Sequence, residues 1–291
     1  MQKTLFYLFY PLIYLIACLP FWAIYILSDF FYFILLLSGY RKKVVVKNLT
    51  NSFPEKSRKE INVLYKQYYS YLCDLVLETL KTLTMSEKEA KERCVFHNPE
   101  WLTRLYNENK SIVIVMGHYG NWEWAGPSFT LNTNYQLVVA YLPLTNPYFE
   151  KMTSRMRTKF GTQITPATNT LRTMVANRKH VTATALIADQ TAWADQAYWT
   201  TFLNQDTAVF TGPEKLAIKF DYPIVFMNVK RTKRGYYEIL PELLFEFPKE
   251  TAEGQITEKF TNRLEEEIRN NPATWLWSHK RWKYSRAGER H

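Results

Sequence analysis

The sequence predicts an α/β fold: a mixed, largely parallel sheet flanked by helices, preceded by a membrane anchor and a helical segment. Three observations predict it. After residue 98, short β-branched apolar runs alternate with helix-patterned stretches, the arrangement that βαβ crossovers produce. Before residue 98 the pattern is helical throughout. At the start, residues 4–28 include no charged side chain. The 291 residues therefore divide into 1–40, an anchor; 41–97, a helical region; and 98–291, an α/β domain.

The apolar run resumes after Asp29 and continues to Leu37. A bilayer core needs about 20 apolar residues in helix, so one span fits; two shallower segments bent at Pro11, Pro20 or Asp29 fit nearly as well. No small-x-small site closes the run, which argues against a cleaved leader. A buried core helix is the plainer alternative. Against it stand the aromatic residues Tyr7, Phe9, Tyr10, Tyr14, Phe21, Trp22 and Tyr25, and the basic stop at Arg41, Lys42, Lys43 and Lys47. Trp22, Arg41, Lys42 and Lys43 are the expected membrane-contact residues. Only Lys3 precedes the run, so the positive-inside rule puts the following domain in the cytosol.

From 44 to 93 the chain reads as helix, interrupted by a turn at 51–57. Ser57 lies three residues before Glu60, a capping box, and Ile61, Leu64, Tyr65, Tyr68, Leu72, Leu75, Val76 and Leu80 keep a helical period. Glu78, near the end of that stripe, is a candidate functional carboxylate, with a solvated or capping role as the plainer reading. Ser86 to Glu89 opens a second short helix. Beyond Pro99, strands are predicted at 111–115, 136–140, 182–188, 223–229 and 236–240. Helices are predicted at 122–131, 148–160, 169–177 and 213–220. In such folds ligands bind outside the carboxyl ends of the strands.

Composition narrows the function. Aromatic residues make up 16% of the chain and the formal net charge is +10, so an anionic partner is expected. The charge forms no recognition helix, zinc module or RNP-like strand, which excludes nucleic acid. Cys18, Cys73 and Cys94 lie far apart without CxxC spacing, and the five histidines show no metal-ligand spacing, so neither a disulfide framework nor a metal is expected. There is no P-loop, GxGxxG, HExxH or GxSxG, and no bound cofactor is expected.

The informative stretch runs from Ser111 to Trp124: an apolar strand, Gly117, His118, a Gly-Asn turn, then Glu123. On one continuous helix His118 and Glu123 would point about 140° apart. With His118 on a strand-to-helix turn and Glu123 in the first helical turn, the carboxylate can reach back to the imidazole. Histidine is the commonest general base because its ordinary pKa lies near neutrality, and a carboxylate on its far nitrogen fixes the tautomer. No protein nucleophile accompanies it, so the base would activate a hydroxyl of the substrate. A packed histidine beside a carboxylate favoured by the helix dipole fits the spacing equally well.

The segment from His118 to Glu123 resembles the HX4D/E motif, in its Glu form, of the bacterial lipid A late acyltransferases. Tyr141-Leu-Pro-Leu-Thr-Asn-Pro-Tyr-Phe149 with Arg155 and Arg157 resembles that family's second block. Leu186-Ile-Ala-Asp-Gln190, Thr211-Gly-Pro213 and Trp275-Leu-Trp-Ser-His-Lys-Arg-Trp-Lys283 resemble later blocks in the same order, and Arg41, Asn48 and Phe53-Pro54-Glu55 the stretch after the anchor. The resemblance implies an O-acyltransferase at the cytoplasmic face of the bacterial inner membrane. It would move a fatty acyl chain from an acyl-carrier-protein or coenzyme A thioester to a lipid hydroxyl. His118 would act as base and Glu123 would orient it. Gly120 and Asn121 amides, or Arg155 or Arg157, would meet the oxyanion. Arg155, after Asn146-Pro147-Tyr148, matches the family's arginine best, although a solvated helix face explains either arginine as well and Asn146 suits a turn. Asp189 and Gln190 end a strand at the correct sheet edge and are candidate substrate-binding residues, although a buried turn-forming aspartate fits as well. The expected partners are acyl carrier protein, a lipid or glycolipid acceptor and an anionic membrane surface. After Gln190, at 191–199, the chain lacks the basic residues relatives often carry, so the acceptor stays open: a lipid A precursor, a lysophospholipid, an aminolipid or a polyene. A silent membrane adaptor that binds acyl carrier protein and a thioesterase-like hydrolase are the readings from other classes.

Overall fold

The computed structural model describes residues 2–192 and 197–286. Five helices come first: α1 (Gln2–Cys18), α2 (Phe21–Ser38), α3 (Lys42–Ser52), α4 (Arg58–Lys81) and α5 (Glu87–Arg93). The α/β part follows as β1 (Cys94–Phe96), α6 (Glu100–Asn107), β2 (Ile112–Met116), α7 (Trp122–Asn132), β3 (Gln136–Tyr141), α8 (Pro147–Thr158), β4 (Gln163–Pro166), α9 (Thr170–Ala176) and β5 (Thr182–Ile187). The chain then forms a hairpin, β6 (Tyr198–Phe202) and β7 (Gln205–Val209). It ends with α10 (Gly212–Phe220), β8 (Ile224–Lys233), β9 (Tyr236–Phe245) and α11 (Gln255–Asn270).

The main sheet has seven strands in the order β1-β9-β8-β2-β5-β3-β4. Every pairing is parallel except β8 with β9, whose connection is a tight hairpin of the kind only antiparallel strands allow. The sheet is thus mixed and mostly parallel, as the alternating pattern predicts. Its first strand begins at Cys94, ahead of the expected boundary at 98, because Cys94–Phe96 pairs with β9.

Both faces are covered, which is why β2 reads as an unbroken apolar run. Ile112, Ile114 and Met116 pack toward α7 and α6 with Trp124, Phe129 and Leu105. Val113 and Val115 pack on the opposite face with α4 and α11 through Tyr68, Phe260 and Leu264. The capping box expected at Ser57/Glu60 forms, with side chain and backbone bonded reciprocally, and a second one, at Ser86/Glu89, opens α5.

Among the described residues, one helix, Phe21–Ser38, is long and apolar enough to cross a membrane. It does not stand free of the body. Phe21, Ile24 and Ser28 are buried, Ser28 donates to Asp74 at 2.7 Å, Tyr25 donates to Glu78 at 3.0 Å, and Asp29 pairs with Arg234 at 2.7 Å. The opposite face exposes Trp22, Ile26, Phe30, Phe33 and Leu37. Lys42 and Lys43 are exposed beyond the helix end, while Arg41 bends back to donate to the Ser278 carbonyl at 2.8 Å.

Candidate active site

Sheet order builds the site. β2 and β5 are parallel neighbours with Met116 opposite Ile187, so His118 and Asp189, each just past its strand, emerge side by side at the carboxyl edge. Gly117 permits the approach, since a Cβ there would lie 2.7 Å from Leu264 and 3.2 Å from the Asp189 carboxylate. Gly120 is equally constrained: its φ is +60°, and a Cβ would lie 1.9 Å from the Val229 carbonyl oxygen.

The imidazole is held by Asp189. Nδ1 of His118 lies 2.6 Å from one carboxylate oxygen, while the His118 backbone N–H donates to the other at 2.8 Å and the Trp275 indole at 2.7 Å. Asp189 is only 5% exposed. Burial alone would raise its pKa, but the neighbouring His118 imidazole and these donors outweigh burial and hold the carboxyl below its usual range. Nδ1 therefore carries a proton toward Asp189, leaving the Nε2 lone pair 3.3 Å from the Gln190 amide nitrogen. The Trp122 ring stands edge-on to the imidazole at 5.0 Å.

The contact expected between Glu123 and His118 gives way to another pair. Glu123, in the first turn of α7, takes Arg157 from α8 in a two-pronged bond of 3.1 and 2.7 Å. Burial would lower the Arg157 pKa, but the Glu123 carboxylate outweighs it and raises it. The far nitrogen of His118 is already occupied by a carboxylate 71 residues away in sequence. The motif's two side chains thus line one cavity with separate partners.

That cavity has a volume of about 900 Å³. Its inner part runs under α7, walled by Ile114, Phe129, Leu137, Ala185 and Met227, each 5% exposed or less. Pro127 within α7 withholds the N–H that would bond the Glu123 carbonyl and loosens that helix over the cavity. The outer part lies on the other face of the sheet between α9 and α10, where Leu171, Phe210 and Lys215 are exposed. His118, Glu123, Arg157 and Gln190 line the cavity as well.

The remaining predicted residues serve elsewhere. The Gly120 N–H donates to the Thr274 carbonyl and its own carbonyl accepts from Tyr71, so neither faces a ligand. Asn121 is fully buried, caps α7 and donates to Glu78 at 2.8 Å. Asn146 caps α8 by accepting from Tyr148 and Phe149. Arg155 is exposed on α8, two residues from the arginine that lines the cavity. Of the stretch after Gln190, residues 193–196 lie outside the described residues. Trp275 was not foreseen as a donor to Asp189, and Glu78, read more plainly as solvated or capping, is fully buried. Among the described residues, no group of three or more His, Cys, Asp or Glu side chains is placed to hold a metal ion.

A search of curated proteins finds no match to this chain. The family model for the bacterial lipid A biosynthesis acyltransferases matches residues 1–284. An apolar cavity that ends at a carboxylate-held histidine is chemistry an acyl transfer needs, and the chain belongs to that family: it is a bacterial lipid A biosynthesis acyltransferase family member and an acyltransferase.

Proposed function

We propose that the enzyme transfers a fatty acyl chain from an acyl-carrier-protein or coenzyme A thioester to a hydroxyl of a lipid A-type glycolipid precursor. The observation that carries this reading is that the Asp189-held His118 imidazole lines a cavity whose walls under α7 are buried apolar side chains and whose walls at α9 and α10 include exposed ones. The enclosed part under α7 takes the donor's hydrocarbon chain, each buried CH₂ contributing about 0.8 kcal/mol. The thioester carbonyl then sits beside His118, and the acceptor enters from the α9–α10 side.

In this reading Nε2 of His118 removes the proton from the acceptor hydroxyl as the oxygen attacks the thioester carbonyl carbon. Asp189 stabilises the imidazolium and keeps the ring in one orientation. Arg157, fixed by Glu123, offers its guanidinium to the oxyanion. When the tetrahedral intermediate collapses, the C–S bond breaks, the imidazolium returns its proton to the sulfur, and an ester and a free thiol leave.

The α2 contacts support attachment within one leaflet of the membrane. Tyr25, Ser28 and Asp29 recur at helical spacing and dock on the body, which favours a helix lying in one leaflet over one that crosses it. The exposed apolar face, with the exposed Leu142 of the β3–α8 loop, which lines the cavity, then meets the acyl region. Lys42 and Lys43 meet anionic headgroups at about 1 kcal/mol each, on the cytoplasmic face of the inner membrane. An acidic carrier protein is steered by the same net charge of +10.

The test uses membranes containing wild type or His118→Ala, an acyl-carrier-protein thioester with a labelled dodecanoyl chain, and a bacterial lipid extract that includes lipid A precursors. A lipid A precursor gaining one acyl chain only with wild type supports the proposal. The gain on a different lipid moves the acceptor. Thiol release equal with and without lipid would identify a hydrolase instead.

A further inference from the structure

Behind the His118 turn, on the side away from the cavity, lies a carboxylate that the transfer mechanism does not use. Glu78 of α4 is completely buried. One of its oxygens accepts from the Tyr25 hydroxyl at 3.0 Å. The other accepts from the Asn121 side-chain amide and the Tyr237 hydroxyl, both at 2.8 Å. The backbone carbonyl of the same residue accepts from the Trp124 indole at 3.0 Å. Seven residues earlier on α4, Tyr71 donates to the Gly120 carbonyl at 2.6 Å. The loop that carries His118 is therefore tied to α4 at Gly120, Asn121 and Trp124, three of the six positions that follow the histidine.

A buried carboxylate of this kind is costly unless its partners repay the desolvation. Burial indeed raises the Glu78 pKa, against the bonds from Tyr237 and Tyr25 that lower it. A simple core could be built here from an apolar side chain, and Asn121 would cap α7 without Glu78, since its own side-chain oxygen accepts from Trp124 at 3.0 Å. What Glu78 adds is a fixed direction for the Asn121 amide, and with it the height of the turn above the sheet.

We infer that Glu78 is a positioning residue for His118, acting through Asn121, and that Tyr25 of the apolar helix α2 completes its set of donors. This inference rests on the reading of His118 as the catalytic base. It makes α2 a structural part of the site as well as a surface for lipid: a helix seated in the membrane holds one of the hydroxyls that orient the carboxylate behind the catalytic turn.

The test measures kcat and KM for thiol release from dodecanoyl-acyl-carrier-protein in the presence of bacterial lipid extract, with the full chain in detergent and folded fractions checked by near-ultraviolet circular dichroism. Glu78→Leu leaves the Asn121 amide and Tyr237 hydroxyl unpaired. It is expected to lower kcat about 100-fold, the cost of misplacing a reacting group by roughly 1 Å, with KM changed less than about twofold. Glu78→Gln retains an oxygen for Asn121 and Tyr237 and is expected to restore kcat to within about fivefold, a rescue that mere core packing would not require. Asn121→Ser keeps a good helix cap but cannot reach Glu78, and is expected to lose about tenfold in kcat; it serves where Glu78→Leu fails to fold. Folded Glu78→Leu, or folded Asn121→Ser if the former does not fold, turning over at the wild-type rate would overturn the inference. So would a Gln variant no better than Leu. Turnover that survives His118→Ala would overturn the underlying reading whatever Glu78 does.

Discussion

On its cavity side the His118 turn presents an imidazole nitrogen, which shares largely apolar walls with the Arg157 guanidinium of α8. On the side facing α4 it presents amides and carbonyls that are paired with a carboxylate, hydroxyls and another carbonyl. The two sides lie a few residues apart and are built to opposite ends. Chemistry needs a lone pair left open to a substrate, so the front keeps Nε2 near a single weak amide contact at 3.3 Å. Orientation needs nothing left open, so behind it buried Glu78 collects donors from α2, β9 and the turn itself. The difference teaches which polar groups to perturb when activity is to change and the fold is not.

Removing charge from the front has the largest expected effect of the substitutions that sharpen this contrast. Arg157→Ala should lower kcat about 10²–10³-fold, the usual loss when one oxyanion donor is removed, while Arg155→Ala on the same helix leaves kcat within about twofold. Equal losses in steady-state kinetics would break the distinction between the two arginines.

Protonation of His279 comes next. Its Nε2 accepts from the Thr191 N–H at 3.3 Å, next to Gln190, and burial lowers its pKa to about 4, assisted by Arg281, His118 and Arg41 and opposed by Asp189. The folded-state pKa lies below the unfolded value near 6.5, so this contribution to stability is complete above pH 6.5 and declines as pH falls toward 4. Discounted for screening of a partly exposed group, the effect is on the order of 1–2 kcal/mol. Urea midpoints measured between pH 4 and 7.5 should fall in that window for wild type, and His279→Gln should flatten the slope.

Filling the enclosed part of the cavity has a finer effect. A Cβ on Gly126 would meet Leu137 and Thr162 at ordinary contact distances of 3.8 and 3.9 Å. Gly126→Leu should shift donor preference toward chains shorter by about two to four carbons, at about 0.8 kcal/mol for each CH₂ excluded. Competition between dodecanoyl and decanoyl thioesters reads the shift, and an unchanged preference would place the chain elsewhere. Smallest is Asn146→Ala, which removes the α8 cap: about 1 kcal/mol of stability in thermal unfolding, with kcat unchanged.

The fold was largely legible because its signals are local. Ser57 and Glu60 cap a helix from three residues apart, and β2 announces itself as an uninterrupted apolar run between two buried faces. α11 is not among the predicted helices: Ile256, Phe260, Leu264 and Ile268 stand at helical spacing, but the charges between them dilute the pattern. β4, β6 and β7 carry Thr, Gln and Asp rather than continuous apolar residues, and their pairing comes from neighbours. The site was legible only as far as the turn that holds His118. Asp189 becomes its partner because β5 lies next to β2, an adjacency that depends on sheet order. Glu78 sits on an otherwise apolar helical stripe and reads as the stripe's edge. Its burial depends on Tyr25, Asn121 and Tyr237, which arrive from three distant segments.

The central claim is that Asp189, rather than Glu123, is the carboxylate that holds the His118 imidazole proposed as the base. The direct measurement is kcat for folded Asp189→Asn with the dodecanoyl-carrier thioester and lipid extract. Asparagine preserves the shape but favours the wrong imidazole tautomer, a change that typically costs about 10⁴-fold, so a loss of at least about 10³-fold is predicted. An Asp189→Asn enzyme working within about tenfold of wild type would contradict the account.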